Sequence, residues 1–170
     1  SPDEAFEQVV GAVRPLAPVR LALDQVLGHV LAAEVRATEN MPPFRSSSMD
    51  GYAVIAAEGV AEREVLGEQD AGYVHVPRVE PGTAVRIMTG AALPEGADAV
   101  IPVEYASETQ GRVRFSRAFP TGANIRPIGQ DLAAGELILP AGLALGAAEV
   151  GLLATLGQAE VVVYPRPRVA

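Results

Sequence analysis

The sequence runs to 170 residues with 17 Gly, 14 Pro and no Cys. That is enough chain to bury a core but too much Gly and Pro for a helical bundle, and it offers no thiol for a disulfide, a thiolate metal site or a nucleophile. The formal net charge is −8, with 21 acids against 13 cations that are all Arg, which excludes Lys Schiff-base chemistry and a P-loop and argues against nucleic-acid binding, where phosphate neutralisation dominates.

Ser1-Pro2-Asp3-Glu4 reads as a helix start, with Ser as cap, Pro in the first turn and Glu placed to close a capping box. Phe6, Val9, Val10 and Val13 follow at amphipathic spacing, so a helix is expected over 2–13. Val19, Leu21 and Leu23 alternate as a short strand, and Asp24 is placed to cap a second helix containing Val26, Leu27, His29, Val30 and Leu31. Residues 38–48, with two consecutive prolines and no periodicity, read as an extended crossing segment. From Met49 to Phe119 the texture is one of short strands, at Tyr52–Ala56, Ala84–Met88, Ala99–Val103 and Arg112–Phe115, separated by Pro-Gly, Thr-Gly and Glu-Gly turns. His75 is expected in a loop or edge strand of this region. The acids Glu58, Glu62, Glu64, Glu68 and Asp70 read as solvated surface. A strand at Leu137–Leu139, a helix at Ala147–Leu156 and a β-branched strand at Val161–Tyr164 close the pattern. The fold class expected is α+β, mostly β. The simplest organisation is a mixed α/β layer formed by both ends of the chain, with a small β-barrel-like module inserted between them. No apolar run is long enough to cross a membrane, no signal peptide is recognisable, and both chain ends read as cuts.

Three polar segments carry whatever chemistry the chain has. His29 and His75 lack ligand-spaced partners, so neither a zinc site nor a Ser–His–Asp triad is expected. The first segment, Arg45-Ser46-Ser47-Ser48-Met49-Asp50-Gly51-Tyr52, puts hydroxyls, a guanidinium and a carboxylate on one loop. Ser47 and Ser48 can donate to an oxyanion and Asp50 can hold Mg²⁺ directly or through water. Equally, Asp50-Gly51 can simply turn the chain and the serines can be solvated. The second, Met88-Thr89-Gly90 running on to Asp98, ends a strand with a hydroxyl and free N–H groups at Thr89 and Gly90, which suit a ligand or an ordinary turn. The third, Asn124-Ile125-Arg126-Pro127-Ile128-Gly129-Gln130-Asp131, sets Arg126 near Asp131, either as an anion-binding pair or as a surface contact. None of the three holds a base that titrates near neutrality. Together they suit positioning an anion and a metal, not nucleophilic attack by the protein.

The same segments carry a resemblance. Met41-Pro42-Pro43-Phe44, Ser48-Met49-Asp50-Gly51-Tyr52-Ala53-Val54, Arg86-Ile87-Met88-Thr89-Gly90-Ala91 and Pro94-Glu95-Gly96-Ala97-Asp98 look like the N-terminal half of MoeA-type molybdopterin molybdenumtransferases, to which the catalytic domain of gephyrin is similar. The resemblance extends in order to Ala154-Thr155-Leu156-Gly157 and beyond. It implies an enzyme of molybdenum cofactor biosynthesis that inserts molybdate into adenylylated molybdopterin with Mg²⁺, releases AMP, acts as a cytoplasmic homodimer and can meet a molybdopterin-adenylylating enzyme. It places Asp50, Thr89 and Asp131 in the catalytic cleft with Arg126 beside them, and it sets an inserted small β-barrel-like domain over 45–129 in a discontinuous mixed α/β domain over 1–44 and 130–170. The chemistry of the segments adds Ser47, Ser48 and Gly90 as substrate-binding residues and Asp50 as the metal-side residue. Three departures stand out. The family often has Asp-Asn-Ser-Ala where this chain has Arg45-Ser46-Ser47-Ser48, further Arg residues where it has Pro127-Ile128, and Gly-Glu-Asp where it has Gly129-Gln130-Asp131. The resemblance also implies a longer protein whose pterin-holding domain begins near Arg168, so the chain is expected to be inactive alone, with helix 2–13 loosely held. The competing expectation is a non-catalytic dimerisation or partner-docking module of the same fold.

Overall fold

The computed structural model describes residues 1–72 and 77–168. His75 lies outside them. The chain divides into two compact units, one of Ser1–Thr38 with Gly135–Ala170 and one of Glu39–Ala134. The second unit is wider on both sides than the 45–129 that the resemblance implied. The physical reason is a short ladder at its base. Met41 forms a bridge with Leu132, and the N–H groups of Asp131 and Leu132 both donate to the Met41 carbonyl.

In the first unit, α1 spans Pro2–Ala12 and carries the expected capping box between Ser1 and Glu4. None of its residues is buried, and Phe6, Val9 and Val10 are all more than half exposed. β1 (Val19–Ala22), β2 (Val30–Leu31) and β13 (Glu160–Tyr164) form an antiparallel sheet in the order β1-β13-β2. β3 (Val35–Arg36) pairs with β12 (Leu137–Leu139). α2 (Ala147–Thr155) begins where the Glu149 carboxylate accepts from the Gly146 N–H at 2.9 Å. Val26, Leu31, Leu139, Leu145, Leu153, Val161 and Val163 make the core of this unit.

The expected helix around Val26–Leu31 does not form. A 3₁₀ turn at Leu23–Gln25 is followed by Gly28 at φ 76°, a left-handed position that ends helical propagation. The Gly28 and Leu31 N–H groups then donate to the carbonyls of Leu145 and Leu143, and Leu31 becomes part of β2. The spacing of apolar residues was compatible with a helix, but Leu27 and Val30 face solvent while Val26 and Leu31 enter the core. His29 accordingly sits before a strand, half-buried, with a buried Nδ1 that has no hydrogen-bond partner.

The second unit is built on one six-stranded sheet. Its strands are β5 (Gly51–Val54), β6 (Arg63–Gln69), β7 (Thr83–Ile87), β8 (Ala99–Pro102), β9 (Ala106–Thr109) and β10 (Arg112–Phe115), in the order β8-β5-β7-β6-β10-β9. The two outermost strands, β8 and β9, are joined by nothing more than a 3₁₀ turn at Val103–Tyr105. Strands at opposite ends of a sheet can be linked by three residues only if the sheet curls back on itself, and the result is a half-barrel. Alternation then sorts side chains onto two faces. Tyr52, Val54, Ala84, Ala99, Ile101, Val113 and Phe115 fill one core, and Ala53, Val79, Val85, Ile87, Ala91, Ala97 and Val100 fill another. Burial on both faces explains why β5 and β8 read as continuous apolar runs.

Four strands of this sheet match the sequence expectation to within a residue or two. β6 was not legible, because its buried positions are Arg63 and Gln69. Arg63 is fully buried. Its Nε is 3.1 Å from a Glu58 carboxylate oxygen, its Nη2 donates to the carbonyls of Ile55 and Gly59, and its guanidinium carbon lies 5.1 Å from the centre of the Phe115 ring. The acidic cluster is therefore not merely solvated. Glu58 serves Arg63 and also accepts from the Gly82 N–H, while Glu62 joins Arg112 and Arg114 of β10. Those two guanidiniums hold the Glu62 carboxyl below its ordinary range.

A side-chain bond joins two strands of the curled sheet that are not neighbours in it. Tyr52 on β5 donates its hydroxyl to Glu108 on β9 at 2.7 Å, while its ring meets Phe115 edge-on at 5.8 Å between centres. Burial, followed by the bond to Glu108, pushes the Tyr52 phenol from 10.0 up to about 12. A folded-state value above the unfolded one means that this contribution to stability is complete below pH 10 and lost as pH rises towards about 12. Tyr52→Phe is expected to lower unfolding free energy by about 1 kcal/mol at neutral pH and to remove this part of the alkaline loss. Urea unfolding of both proteins across that range checks it, and parallel pH curves would contradict it.

Candidate functional site

The three polar segments meet around a two-residue strand, β4 (Ser46–Ser47). Ser46 and Ser47 are 2% and 0% exposed, so every backbone group here needs a partner. Successive residues of an extended chain point their backbone groups to opposite sides, and both sides are used. Towards the second segment, Ser47 donates its N–H to the Ala91 carbonyl and accepts from the Gly90 N–H, while the Arg45 carbonyl accepts from Leu93. Towards the third, Ser46 and Ser47 pair with Arg126 and Ile125 of β11 (Ile125–Arg126), and the Ser48 N–H donates to the Asn124 carbonyl. Asn124 supports that junction from φ 56°, a conformation Asn tolerates, with its side-chain amide donating to the Val100 carbonyl at 2.9 Å.

Asp50 and Thr89 come together at one end of this ladder. A single Asp50 carboxylate oxygen accepts from the Thr89 hydroxyl at 2.7 Å and from the Thr89 N–H at 2.8 Å. The Thr89 hydroxyl first, then its N–H, hold the Asp50 carboxyl below its ordinary range, with Arg86 adding to the effect and partial burial opposing it. Arg86 is on β7, three residues before Thr89, and its Nε lies 3.6 Å from Glu68. The turn that delivers Asp50 is tight. A Cβ on Gly51 would come within 2.1 Å of the Ile101 carbonyl oxygen, so only Gly lets β5 start there.

Arg126 and Asp131 form an ion pair through Nη2 and Oδ2. The loop that carries Asp131 is fixed from below. The Gly129 N–H donates to Pro42, the Asp131 N–H to Met41, and Asn40 accepts from the Ala134 N–H at 2.9 Å. The structure thus flanks β4 with Asp50–Thr89 on the side of residues 88–93 and Arg126–Asp131 beyond β11.

Ser47 takes a different part from the one its hydroxyl suggested. Ser47 is fully buried, and its Oγ donates to the Met49 carbonyl and accepts from the Met49 N–H. It closes the turn that aims Asp50 and presents no hydroxyl to solvent. Ser48 is half-buried, with its N–H used by Asn124. Gly90 is exposed, at φ 82°, with its N–H committed to Ser47. Asp98, at the far end of the second segment, is a clamp between loops. It accepts from the Ala56 N–H at 2.6 Å and from the Thr121 hydroxyl at 3.2 Å. Sequence reasoning missed Asn40 and Arg86, whose roles depend on pairing partners remote in sequence. The Ser-x-Met turn was detectable in principle, since a Ser hydroxyl that closes on the backbone two residues later is a recognised local motif.

Among the described residues no three His, Cys, Asp or Glu side chains converge on one point. An all-protein cage for a divalent ion is therefore not formed by them. Asp50 beside the Thr89 hydroxyl does fit a Mg²⁺ that keeps several waters and takes further oxygens from a phosphate-bearing substrate.

Residues 1–157 match the family described as MoeA N-terminal region (domain I and II). The chain is 36% identical over 192 aligned residues to molybdopterin molybdenumtransferase 1 of Mycobacterium tuberculosis, covering 100% of this chain and 45% of that protein. It is 32% identical to the molybdopterin molybdenumtransferase of Staphylococcus epidermidis, covering 98% of this chain and 42% of that one. The crystal structure of a molybdopterin biosynthesis MoeA protein from Pyrococcus horikoshii superposes with a TM-score of 0.89 at 29% identity, over 97% of this chain and 46% of that one. The chain thus spans less than half the length of these relatives.

Thr89→Val keeps the backbone bond to Asp50 and removes the hydroxyl. The Asp50 carboxyl is expected to titrate at higher pH in the variant and at its original pH in Thr89→Ser, as followed by carboxyl-carbon NMR. Because a lowered value means stabilisation that is lost as pH falls through it, Thr89→Val also weakens the acid dependence of stability. An unchanged Asp50 titration in Thr89→Val would show that the hydroxyl does not control it.

Proposed function

The chain belongs to the MoeA N-terminal region family, and from that premise we propose that it is the first part of an enzyme that inserts molybdate into adenylylated molybdopterin with release of AMP. The observation that carries this reading is the Asp50–Thr89 pair, a carboxylate oriented by a hydroxyl and an N–H at the corner where β4 ties two loops to its own. Its positions are those that the family pattern assigns to the catalytic cleft.

The chemistry asked of the protein is positioning. Asp50 is held ionised, with one oxygen satisfied by Thr89 and the other available to a hydrated Mg²⁺, which would neutralise charge on the substrate's phosphates when bound. Asp131 fixes the Arg126 guanidinium, leaving its remaining donors for an anion. Molybdate insertion requires no protein nucleophile, since the sulfur comes from the substrate's dithiolene. Ser47 acts through Asp50 as a positioning residue. The full protein is proposed to work in the cytoplasm as a homodimer that takes its substrate from an adenylylating enzyme.

In a chain of the relatives' length carrying these residues, Asp50→Ala is expected to reduce molybdate-dependent AMP release by about a hundredfold or more, the scale of loss when a charge-positioning group is removed. Asp50→Asn separates charge from shape and is expected to lose nearly as much. Equal rates for parent and Asp50→Ala would remove Asp50 from the site.

A further inference from the structure

The face of the curled sheet that carries Tyr52 also carries a loosely held arginine beside Asp50. Arg86 of β7 stands opposite Tyr52 of β5 on one side and opposite Glu68 of β6 on the other. Opposed residues share a face and alternate residues return to it, so Glu68, Arg86 and Tyr52 form a row. Asp50 precedes Tyr52 by two residues, and the same alternation brings it out beside the row, diagonal to Arg86. Among the described residues the one ion pair of Arg86 is with Glu68, 3.6 Å from Nε, and its guanidinium makes no hydrogen bond. A further carboxylate that meets the row, Glu108, is taken by the Tyr52 hydroxyl.

Looseness alone singles out nothing, since Arg78 and Glu95 are equally far apart. Position does. The Thr89 hydroxyl and N–H hold the Asp50 carboxyl low, and Arg86 is the guanidinium whose charge lowers it further. Arg86 and a divalent cation on the free oxygen of Asp50 carry like charge, so each weakens the hold of the other on that carboxylate. Glu68 supplies Arg86 with another place to rest. With Glu68 made neutral, Asp50 is the unspent carboxylate of the row, and the guanidinium turns to it.

We propose that Arg86 and Glu68 form a charge relay that sets the divalent-cation affinity of Asp50, Arg86 competing with the cation and Glu68 keeping Arg86 away from it. That a divalent cation belongs at Asp50 rests on the proposed function. The relay rests on strand register and on the loose Arg86–Glu68 pair. Both residues act through Asp50 and are positioning residues.

The test is a titration of the 170-residue chain with Mg²⁺ alone, followed at the Asp50 and Thr89 backbone amides by NMR. Arg86 and Glu68 are 44% and 47% exposed, and a half-exposed pair adds little to stability, so their variants are expected to keep the fold. Glu68→Gln is expected to weaken Mg²⁺ by about threefold and Arg86→Gln to tighten it by about threefold. In the Arg86→Gln background, Glu68→Gln is expected to lose most of its effect, because the residue through which it acts is gone. Glu95→Gln, the same charge change in the equally loose pair with Arg78, is expected to leave the affinity unchanged. Weaker binding in Arg86→Gln, or an equal effect of Glu68→Gln with and without Arg86, would overturn the relay. So would the absence of any saturable Mg²⁺ shift at Asp50 and Thr89. Each of these results leaves molybdate insertion standing, because that reading is tested through Asp50 turnover. Conversely, the full pattern of Mg²⁺ affinities beside an Asp50→Ala protein of full activity would keep the relay and sink the catalytic role of Asp50.

Discussion

Ser46 and Ser47 lie in a strand of two residues whose backbone is bonded on both edges, and the positions of Asp50, Thr89, Arg126 and Asp131 all follow from that constraint. A strand buried at 2% and 0% exposure cannot leave its N–H and C=O groups without partners, since each orphan costs about 1–3 kcal/mol. The groups of Ser47 reach residues 90 and 91, and those of Ser46 and Ser48 reach residues 124–126. Two segments far apart in sequence are thereby held to one short stretch of a third. The side chains that could meet a ligand are carried at the margins of this ladder.

The half-barrel supplies the rigid support for that arrangement. Its central strands bury both faces, and its edge strands are tied by a three-residue turn. β5 begins one residue after Asp50 and β7 ends two residues before Thr89. Because Gly51 and Ile87 are paired in the register of those two strands, the neighbouring residues Asp50 and Thr89 leave the sheet side by side. The Asp50–Thr89 bond is a continuation of sheet register into the loops, made by side chains where the ladder stops. Sites built on strand ends in this way lose little order when a ligand arrives.

Much of this was legible in the sequence, and the failures share a cause. The strands with apolar faces, the capped first helix and the family membership could be read from local pattern, and the three polar segments singled out there meet at β4. The misreadings were at places where a residue's role is set by a partner elsewhere. β6 hid because its inward residues are Arg63 and Gln69, and Arg63 is tolerable inside only because Glu58, two carbonyls and the Phe115 ring receive it. The false helix at Val26–Leu31 came from a spacing that Gly28 overrides once Leu143 and Leu145 offer their carbonyls. Ser47 looked like a ligand donor because a sequence lists hydroxyls without saying which way they face. The hydroxyl is spent on Met49, and its service to the site is indirect.

The central claim is that the corner tied together by β4 is where the substrate of the full-length enzyme is met. The most direct measurement is a crystal structure of a chain of the relatives' length, carrying these residues, with adenylylated molybdopterin bound. The account predicts the substrate, or a metal ion on its phosphates, within hydrogen-bonding or coordination distance of Asp50 or Thr89, with the β4 ladder unchanged. A substrate held wholly by the additional segment, with Asp50, Thr89 and Asp131 all facing solvent, would contradict it.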